Sequence, residues 1–309
     1  ELKAGGFGEK RTGDGKIWDS SNIAVARSIE KWVPADIDLL RRAGLQISEG
    51  IATADSIDDF LQRCDQRPDA EAIKLCGKLA IARTILDAER HSDLYVSSSN
   101  IYNRLDLNSI TNTWFMKLFR LLTRNHLDRQ TLFDNVSFIN FNYDRCLEYF
   151  FLNALMAAFA ISAAEAINMT KAVRIFHPYG TVGVLPALAK PGAVTVEFGT
   201  ENADLLSVAA QIRTYSEQIE DQSMVSAIRA EIRNAQRIIF LGFAYHAPNM
   251  KLITPQIDPG PNLTEIHGTA LKFSDSDCAV ISNYLSALRS SDGPRQRDSS
   301  ARSYMRCTI

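Results

Sequence analysis

The sequence has few residues of the kinds that mark disulfide-stabilised, zinc-binding or membrane-spanning proteins. Only five of its 309 residues are cysteines, and no two of them form a CxxC pair. This argues against a disulfide framework and a structural zinc module, and it favours a reducing, cytoplasmic location. The longest apolar stretch, residues 149–164, contains Asn153 and Ser162 and is shorter than the roughly 20 residues of a spanning helix. We therefore expect no zinc, no membrane span and no signal peptide.

Neither sign of charge is in marked excess. The chain has 34 Lys and Arg against 36 Asp and Glu, a formal net charge of -2. Such a balance gives no overall attraction to nucleic acid or anionic lipid, so we expect no direct nucleic-acid or membrane partner. Hydrophobic residues make up 46% and charged residues 23%, which is typical of globular proteins and excludes disorder over most of the chain.

The residue pattern divides the chain into four predicted segments. Residues 1–22 form a glycine-rich segment: five of the 16 glycines fall in the first 15 residues, which predicts a flexible loop with no strand before it. Residues 23–130 predict a helical module, clearest over 69–90, where apolar residues recur at helical spacing. Residues 131–290 alternate short β-forming runs with helical runs, which favours a parallel α/β sheet. Residues 291–309 are rich in Ser and Arg and predict a loose tail.

The predicted strands of the α/β segment are short. They cover residues 136–142, 173–177, 194–198, 237–242 and 263–267. The predicted helices between and after them cover residues 144–160, 204–216, 224–235 and 274–288. In the helical module, residues 109–123 form a further predicted amphipathic helix.

Polar clusters follow two of these strands. Asn142, Tyr143 and Asp144 end the first strand, and they offer a carboxamide, a phenol and a carboxylate. His177 and Gly180 end the second strand, within His-Pro-Tyr-Gly. Ligands of open α/β sheets bind outside the carboxyl ends of strands, and histidine is the usual general base. The alternative interpretations are that Asn142 caps the next helix while Tyr143 packs in the core, and that His177 is a half-buried turn residue.

A third strand, 237–242, ends in Leu-Gly-Phe. Gly242 and the following Phe243 lie where a nucleotide ribose or phosphate could approach the backbone closely. The sequence is not GxGxxG, and a simple strand-to-loop turn is the alternative. No GK[ST] loop, Ser-His-Asp set, HExxH or kinase motif stands out.

Together and in this order, these elements resemble the bacterial sirtuin-like NAD-hydrolysing proteins of antiphage defence. The resemblance covers roughly residues 50–290. The motifs that carry it are Ser56-Ile-Asp-Asp-Phe-Leu61, Phe141-Asn-Tyr-Asp144-Arg145-x-Leu-Glu148, His177-Pro-Tyr-Gly180, Phe240-Leu-Gly-Phe243 and Ile266-His-Gly-Thr269.

The resemblance implies a Rossmann-like parallel sheet with a helical insertion module, and NAD as substrate. Asn142 and His177 match the catalytic pair of the family. By the same match, Asp144 contacts the nicotinamide carboxamide, and Gly242 and Phe243 lie near the adenosine ribose. From its position alone, Tyr143 is a candidate for the wall of the pocket and equally for the core, and Gly180 lets the backbone approach a ligand closely. Residues 1–309 contain no counterpart of the Gly-Ala-Gly-Ala-Ser loop that opens the family's domain. Either the loop precedes Glu1, or this protein holds NAD differently.

The function implied is a glycohydrolase that cleaves NAD to nicotinamide and ADP-ribose, depleting NAD on phage infection. The paired cysteines of the deacylase sirtuins are missing, which disfavours lysine deacylation. Because uncontrolled NAD cleavage is toxic, we expect a homo-oligomer or a partner such as an ATPase or an Argonaute-type protein to gate it. The alternatives are a non-catalytic NAD or ADP-ribose sensor or scaffold subunit, and ADP-ribosyl transfer by the same residues.

Overall fold

The protein is a mixed α/β chain of two compact units, residues 1–218 and 219–309. The computed structural model describes residues 7–12, 15–20, 23–32, 37–54, 56–97, 104–124, 128–215, 217, 221–254, 264–269, 273–286 and 288. The division between the units lies within the 131–290 segment, which the sequence pattern groups as one domain. The α/β class is confirmed. The predicted tail at 291–309 lies outside the described residues.

The elements follow one another in chain order. In the first unit the strands are β1 (Phe7–Thr12), β2 (Gly15–Ser20), β3 (Ser137–Ile139) and β4 (Arg174–Phe176). Its helices are α1 (Ile23–Trp32), α2 (Ile37–Gly50), α3 (Ile57–Arg63), α4 (Ala70–Arg90), α5 (Trp114–Thr123), α6 (Cys146–Phe159), α7 (Ala163–Ala172) and α8 (Leu205–Ala209). The second unit contains α9 (Gln222–Asn234), β5 (Arg237–Phe240), α10 (Ala247–Ile253), β6 (Glu265–Gly268) and α11 (Asp275–Ser286).

The glycine-rich start contains two paired strands, so the prediction of a flexible loop there is wrong over residues 7–12 and 15–20. β1 and β2 pair antiparallel, with Thr12 opposite Gly15. The residues between the strands are Gly13 and Asp14. A Gly-Asp pair between two short runs is itself a hairpin signal, and it outweighs the glycine content as an indicator of loop.

The first hydrophobic core lies around α4, which confirms the clearest helix prediction. Ile73, Cys76 and Leu79 of α4 have no solvent-exposed surface, and Leu61 of α3 is equally buried among them. Ser56 begins α3, because its hydroxyl accepts the Asp59 N–H at 3.1 Å, as an N-cap residue does. Helices α2, α3 and α8 pack against α4.

The second core of this unit surrounds α6. That helix is apolar on nearly all sides, as expected of a helix enclosed by others. Phe150 and Phe151 are fully buried, and their rings meet those of Phe119 and Phe133 at 5.8 and 5.0 Å. This core supports the two strands that carry the polar clusters.

Helix α7 was not predicted, although the sequence contains its start signal. Helix α6 ends at Ala160, whose φ of 48° is left-handed. Ser162 and Glu165 then form a reciprocal capping box that begins α7. The alanine-rich helix has only a weak apolar stripe, so spacing alone does not reveal it.

Strands β3 and β4 pair in parallel, with Ile139 opposite Phe176. The connection between them runs through α6 and α7, as parallel pairing requires a crossover. The Asn140 N–H donates to the Phe176 carbonyl at 2.8 Å, which extends the pairing past β3. The carboxyl ends of both strands therefore meet at one edge.

Two neighbouring predictions need correction. Residues 194–198 form only an isolated parallel bridge, between Val184 and Thr195, and not a strand. The helix predicted at 204–216 is not continuous, because α8 covers only residues 205–209. Residues 211–214 instead hydrogen-bond in a loop, in which the Arg213 N–H donates to the Tyr179 carbonyl at 2.9 Å.

The second unit also contains a parallel pair. Ile239 of β5 lies opposite His267 of β6, and the pair is reached through α10. Its buried side chains include Ile238 and Phe240 of β5, Ile266 of β6 and Met250 of α10.

None of the helices among the described residues combines the length and the apolar character needed to cross a membrane.

Candidate functional site

The carboxyl edge of the β3–β4 pair brings together the two polar clusters predicted in the first unit. Residues 140–145 leave β3, and residues 177–180 leave β4. The Val182 N–H donates to the Tyr143 carbonyl at 3.0 Å, and the rings of Phe141 and Tyr179 lie 6.0 Å apart. The two loops are thus bonded to each other as well as to their strands.

His177 is held by a carboxylate that the sequence interpretation gave no role. Its Nε2 lies 2.7 Å from Oε1 of Glu148, in the first turn of α6. The two side chains are only 13% and 15% exposed. Among the described residues, His177 Nδ1 and Glu148 Oε2 are buried without a hydrogen-bond partner. A buried histidine–carboxylate pair with one unsatisfied atom on each side is unusual and marks a candidate for function.

Asn142 is exposed and does not cap the following helix, so this part of the alternative interpretation is wrong, whereas its other part, Tyr143 packed in the core, is confirmed. Its own N–H donates to Oδ1 of Asn140 at 3.0 Å, which turns the chain sharply after β3. Helix α6 begins at Cys146, beyond Asn142. The carboxamide of Asn142 is therefore placed at the edge of the loop, where a ligand can reach it.

Tyr143 lies in the core. It is 8% exposed, and its hydroxyl donates to Oδ1 of Asp58 at 2.9 Å. Burial, followed by the charge and hydrogen bond of Asp58, raises the pKa of Tyr143 well above its usual range. Tyr143 thus joins the loop after β3 to helix α3, and the phenol stays protonated at neutral pH.

Asp144 lies two residues before the first residue of helix α6. Its Oδ1 accepts the Cys146 N–H at 3.0 Å, and the residue is half-buried. Burial, together with the Asp144 carboxylate, raises the pKa of the Cys146 thiol. The thiol is therefore a poor nucleophile, and the carboxylate is the group at this position that can bind a polar ligand.

Arg145 forms a buried ion pair with Glu89 of α4. Arg145 and Glu89 are 2% and 0% exposed. Glu89 accepts four hydrogen bonds, from the Arg145 N–H, Nε and Nη2 and from the Gly199 N–H. The guanidinium also donates to the carbonyls of Val196 and Glu197. This network fixes the end of the loop that carries Asn142 and Asp144.

Gly180 ends the His-Pro-Tyr-Gly turn, and only glycine fits there. Its φ is +75°, and a Cβ would lie 2.0 Å from the carbonyl oxygen of Gln211. The Gly180 N–H donates to the His177 carbonyl at 3.0 Å, which closes the turn. The close approach of residue 211 thus positions the backbone that presents His177.

We expect Gly180→Ala to destabilise the protein much more than Gly192→Ala. Both positions have a positive φ, which costs an alanine about 1–2 kcal/mol. A Cβ at Gly192 meets nothing within 4 Å, whereas at Gly180 it collides with backbone. Urea unfolding of the two variants checks this, and equal losses of stability would contradict it.

A lysine–glutamate pair joins Glu217 to helix α4. Nζ of Lys78 lies 2.8 Å from Oε1 of Glu217, whose Oε2 accepts the Thr214 N–H at 2.7 Å. Partial burial acts to raise the pKa of Glu217, but the hydrogen bonds from Lys78 and Thr214 outweigh it. The net pKa lies below the ordinary value of 4.5.

This lowered pKa predicts an acid-dependent loss of stability. The unfolded chain binds the Glu217 proton more readily, so stability is present above pH 4.5 and falls as the pH drops toward the folded-state pKa. Urea unfolding across this range should show a shallower pH dependence for Glu217→Gln than for the wild type. Parallel curves would rule out a contribution from Glu217.

Gly242 and Phe243 belong to the second unit. Gly242 has a φ of +59°, and its N–H donates to Oγ1 of Thr269 at 3.0 Å. The Phe243 ring packs 5.2 Å from the rings of Phe240 and Tyr245. The strand-to-loop turn predicted after β5 is therefore present, and it is bonded to the end of β6.

A cavity of about 190 Å³ lies at the opposite, amino end of β3 and β4. Its walls include Phe133, Asp134 and Arg174. Nη2 of Arg174 donates there to the backbone carbonyl of Asp134 at 3.0 Å, and no candidate residue of the carboxyl edge lines the cavity. The candidate site is therefore identified by its side chains and not by this cavity.

The sequence interpretation missed roles for Glu148, Asp58 and Glu89. Glu148 and Asp58 stand within the motifs that carry the resemblance, and Glu148 follows Asp144 by one helical turn. Glu89 had no signal, because its partner lies 56 residues away. In the part of the chain that the structure describes, no group of three or more His, Cys, Asp or Glu side chains is placed to hold a metal ion.

Comparison with known proteins gave no match to any family model, curated protein or solved structure.

Proposed function

We propose that this protein cleaves NAD to nicotinamide and ADP-ribose at the carboxyl edge of β3 and β4. The observation that carries the proposal is the largely enclosed contact between His177 and Glu148, at the edge that also presents Asn142. A histidine held by a carboxylate is suited to remove a proton from water. The resemblance of the sequence to sirtuin-like NAD-hydrolysing proteins supports NAD as the substrate.

The chemistry fits these residues. Cleavage of the bond between ribose and nicotinamide passes through an oxocarbenium-like state, as in glycoside hydrolysis. Nicotinamide leaves as a neutral molecule, so the site needs no strong general acid. The Asn142 carboxamide can orient the ribose hydroxyls or the attacking water, and His177 can accept the proton of that water. Asp144 can accept a hydrogen bond from the nicotinamide amide.

We also propose a Rossmann-like fold for the α/β part. Each described parallel pair, β3–β4 and β5–β6, is joined through helices, as in the repeating unit of nucleotide-binding folds. Gly242 has open space where a Cβ would lie, which would allow a ribose to approach the end of β5.

An oligomer or a partner protein would gate the activity.

A non-catalytic sensor or scaffold that binds NAD or ADP-ribose is the second candidate. It is favoured by the burial of His177 Nδ1, since a ring nitrogen enclosed by protein is also what a structural histidine shows. Both candidates bind NAD, but only the glycohydrolase cleaves it.

Nicotinamide release from NAD and NAD binding, measured on the same wild-type preparation, separate these candidates. An acetylated peptide serves as a parallel substrate. The glycohydrolase proposal expects nicotinamide release without deacetylation. Binding of NAD without release would replace it by the sensor, and neither binding nor release would refute both.

A further inference from the structure

We propose that Glu148 is a positioning residue that fixes the tautomer of His177, so that Nδ1 is the ring nitrogen that accepts the proton. Glu148 lies on α6, and His177 follows β4. The catalytic part of this inference rests on the proposed NAD cleavage, whereas the tautomer does not.

The tautomer follows from the contact between the two side chains. A carboxylate only accepts hydrogen bonds, and Oε1 of Glu148 lies 2.7 Å from Nε2 of His177. An Nε2 without a proton would bring two acceptors together at that distance in a buried place, which is strongly unfavourable. Nε2 therefore carries the hydrogen, and the lone pair of the neutral ring lies on Nδ1.

The unsatisfied atoms agree with this assignment. Nδ1 is buried and has no hydrogen-bond partner among the described residues. A buried acceptor without a partner costs free energy unless water or a ligand completes it. Oε2 of Glu148 is also buried without a partner, so one atom on each side of the contact has an unfilled hydrogen-bonding capacity.

In the proposed reaction, Nδ1 removes one proton from water while the water oxygen forms a bond to C1 of the ribose. The bond from C1 to the nicotinamide nitrogen breaks, and its electron pair leaves with neutral nicotinamide. The proton remains on the imidazolium, next to the Glu148 carboxylate, and passes to solvent before the next turnover. Glu148 touches neither substrate nor water in this scheme and acts only through His177.

Ring-nitrogen NMR of the ¹⁵N-labelled full chain, without ligand, tests the tautomer. The chain has five histidines, and the His177 signals are those lost in His177→Gln. We expect a protonated Nε2 and an unprotonated Nδ1 in the neutral ring of the wild type. In Glu148→Gln, whose amide can donate to an unprotonated Nε2, the ring should shift to the tautomer protonated on Nδ1. A wild-type ring protonated on Nδ1 would overturn the proposal.

Nicotinamide release by the same variants tests the positioning role. We expect Glu148→Gln to lower kcat by about 10²–10⁴-fold, with a much smaller change in KM. The His177 imidazole keeps its position in this variant, but its proton is on the wrong nitrogen. The double variant Glu148→Gln with His177→Ala should be no slower than His177→Ala. The control, Glu71→Gln, alters a carboxylate that is 93% exposed in the first turn of α4 and should leave kcat unchanged.

The outcomes separate the two proposals. A wild type without nicotinamide release would refute the proposed function and the catalytic role of Glu148, while the NMR result would still decide the tautomer. An active wild type whose kcat is unchanged by Glu148→Gln would overturn the positioning role alone. A further loss in the double variant would show that Glu148 acts apart from His177, which also contradicts it.

Discussion

Replacing His177 with alanine is expected to lower kcat/KM for nicotinamide release by about 10²–10⁴-fold, the usual contribution of a general base. The loss should lie mainly in kcat, because the imidazole acts on the attacking water and not on the binding of NAD. Steady-state assays of nicotinamide release measure it directly. His91→Ala is the matched control, since His91 is exposed at the end of α4.

Asn142→Ala should give a similar loss, of about 10²-fold or more, through misplacement of water or ribose. Because the Asn142 side chain is exposed, the variant should keep the wild-type free energy of unfolding. His177→Ala removes a partly buried partner of Glu148, so its folding must be measured beside its activity. A folded Asn142→Ala protein with full turnover would refute the role of the carboxamide.

Glu89→Gln is expected to destabilise the first unit by about 3–5 kcal/mol, the range for breaking a buried ion pair. The substitution leaves the Arg145 guanidinium without its counter-ion. It also places an amide NH₂ group, which is itself a donor, against N–H groups of Arg145 and Gly199 that donate to Glu89 in the wild type. Arg145 immediately follows Asp144, so the loop at the carboxyl edge of β3 should loosen as well. Urea unfolding gives the loss of stability, and nicotinamide release gives the effect on the loop.

Two controls make this prediction specific to the buried pair. Glu201→Gln removes the partner of Arg90, also on α4, but that pair is 35% and 55% exposed and should contribute no more than about 1 kcal/mol. Glu89→Leu combined with Arg145→Met leaves no unpaired charge and should be less destabilised than either single change. A loss for Glu89→Gln as small as that for Glu201→Gln would contradict the prediction.

The strand ends of the candidate site could be predicted because they depend on local sequence. Short β-forming runs followed by polar residues placed Asn142 and His177 after β3 and β4. Parallel pairing, which the alternation of strands and helices indicates, then brings both ends to one edge. The long helix α4 was predictable for the same reason, since its apolar residues repeat at helical spacing.

Two further elements, the β1–β2 pair and helix α7, also have local sequence signals, but the composition of each segment favours a different interpretation. The hairpin of β1 and β2 is indicated by Gly13-Asp14, and α7 by the capping box of Ser162 and Glu165. Each signal is carried by only two residues. The glycine content of the first segment and the alanine content of the second made these signals hard to recognise.

The α/β class, the positions of most helices and strands, and the polar residues at the strand ends were predictable, because they follow from periodicity and turn chemistry within short windows. The partners of those polar residues became visible only in the folded chain. The fold places Glu148 against His177, Asp58 against Tyr143 and Glu89 against Arg145 across 29, 85 and 56 residues. Contacts over such separations are set by how the helices pack, and a charge far along the chain gives no local sign of the partner it will meet.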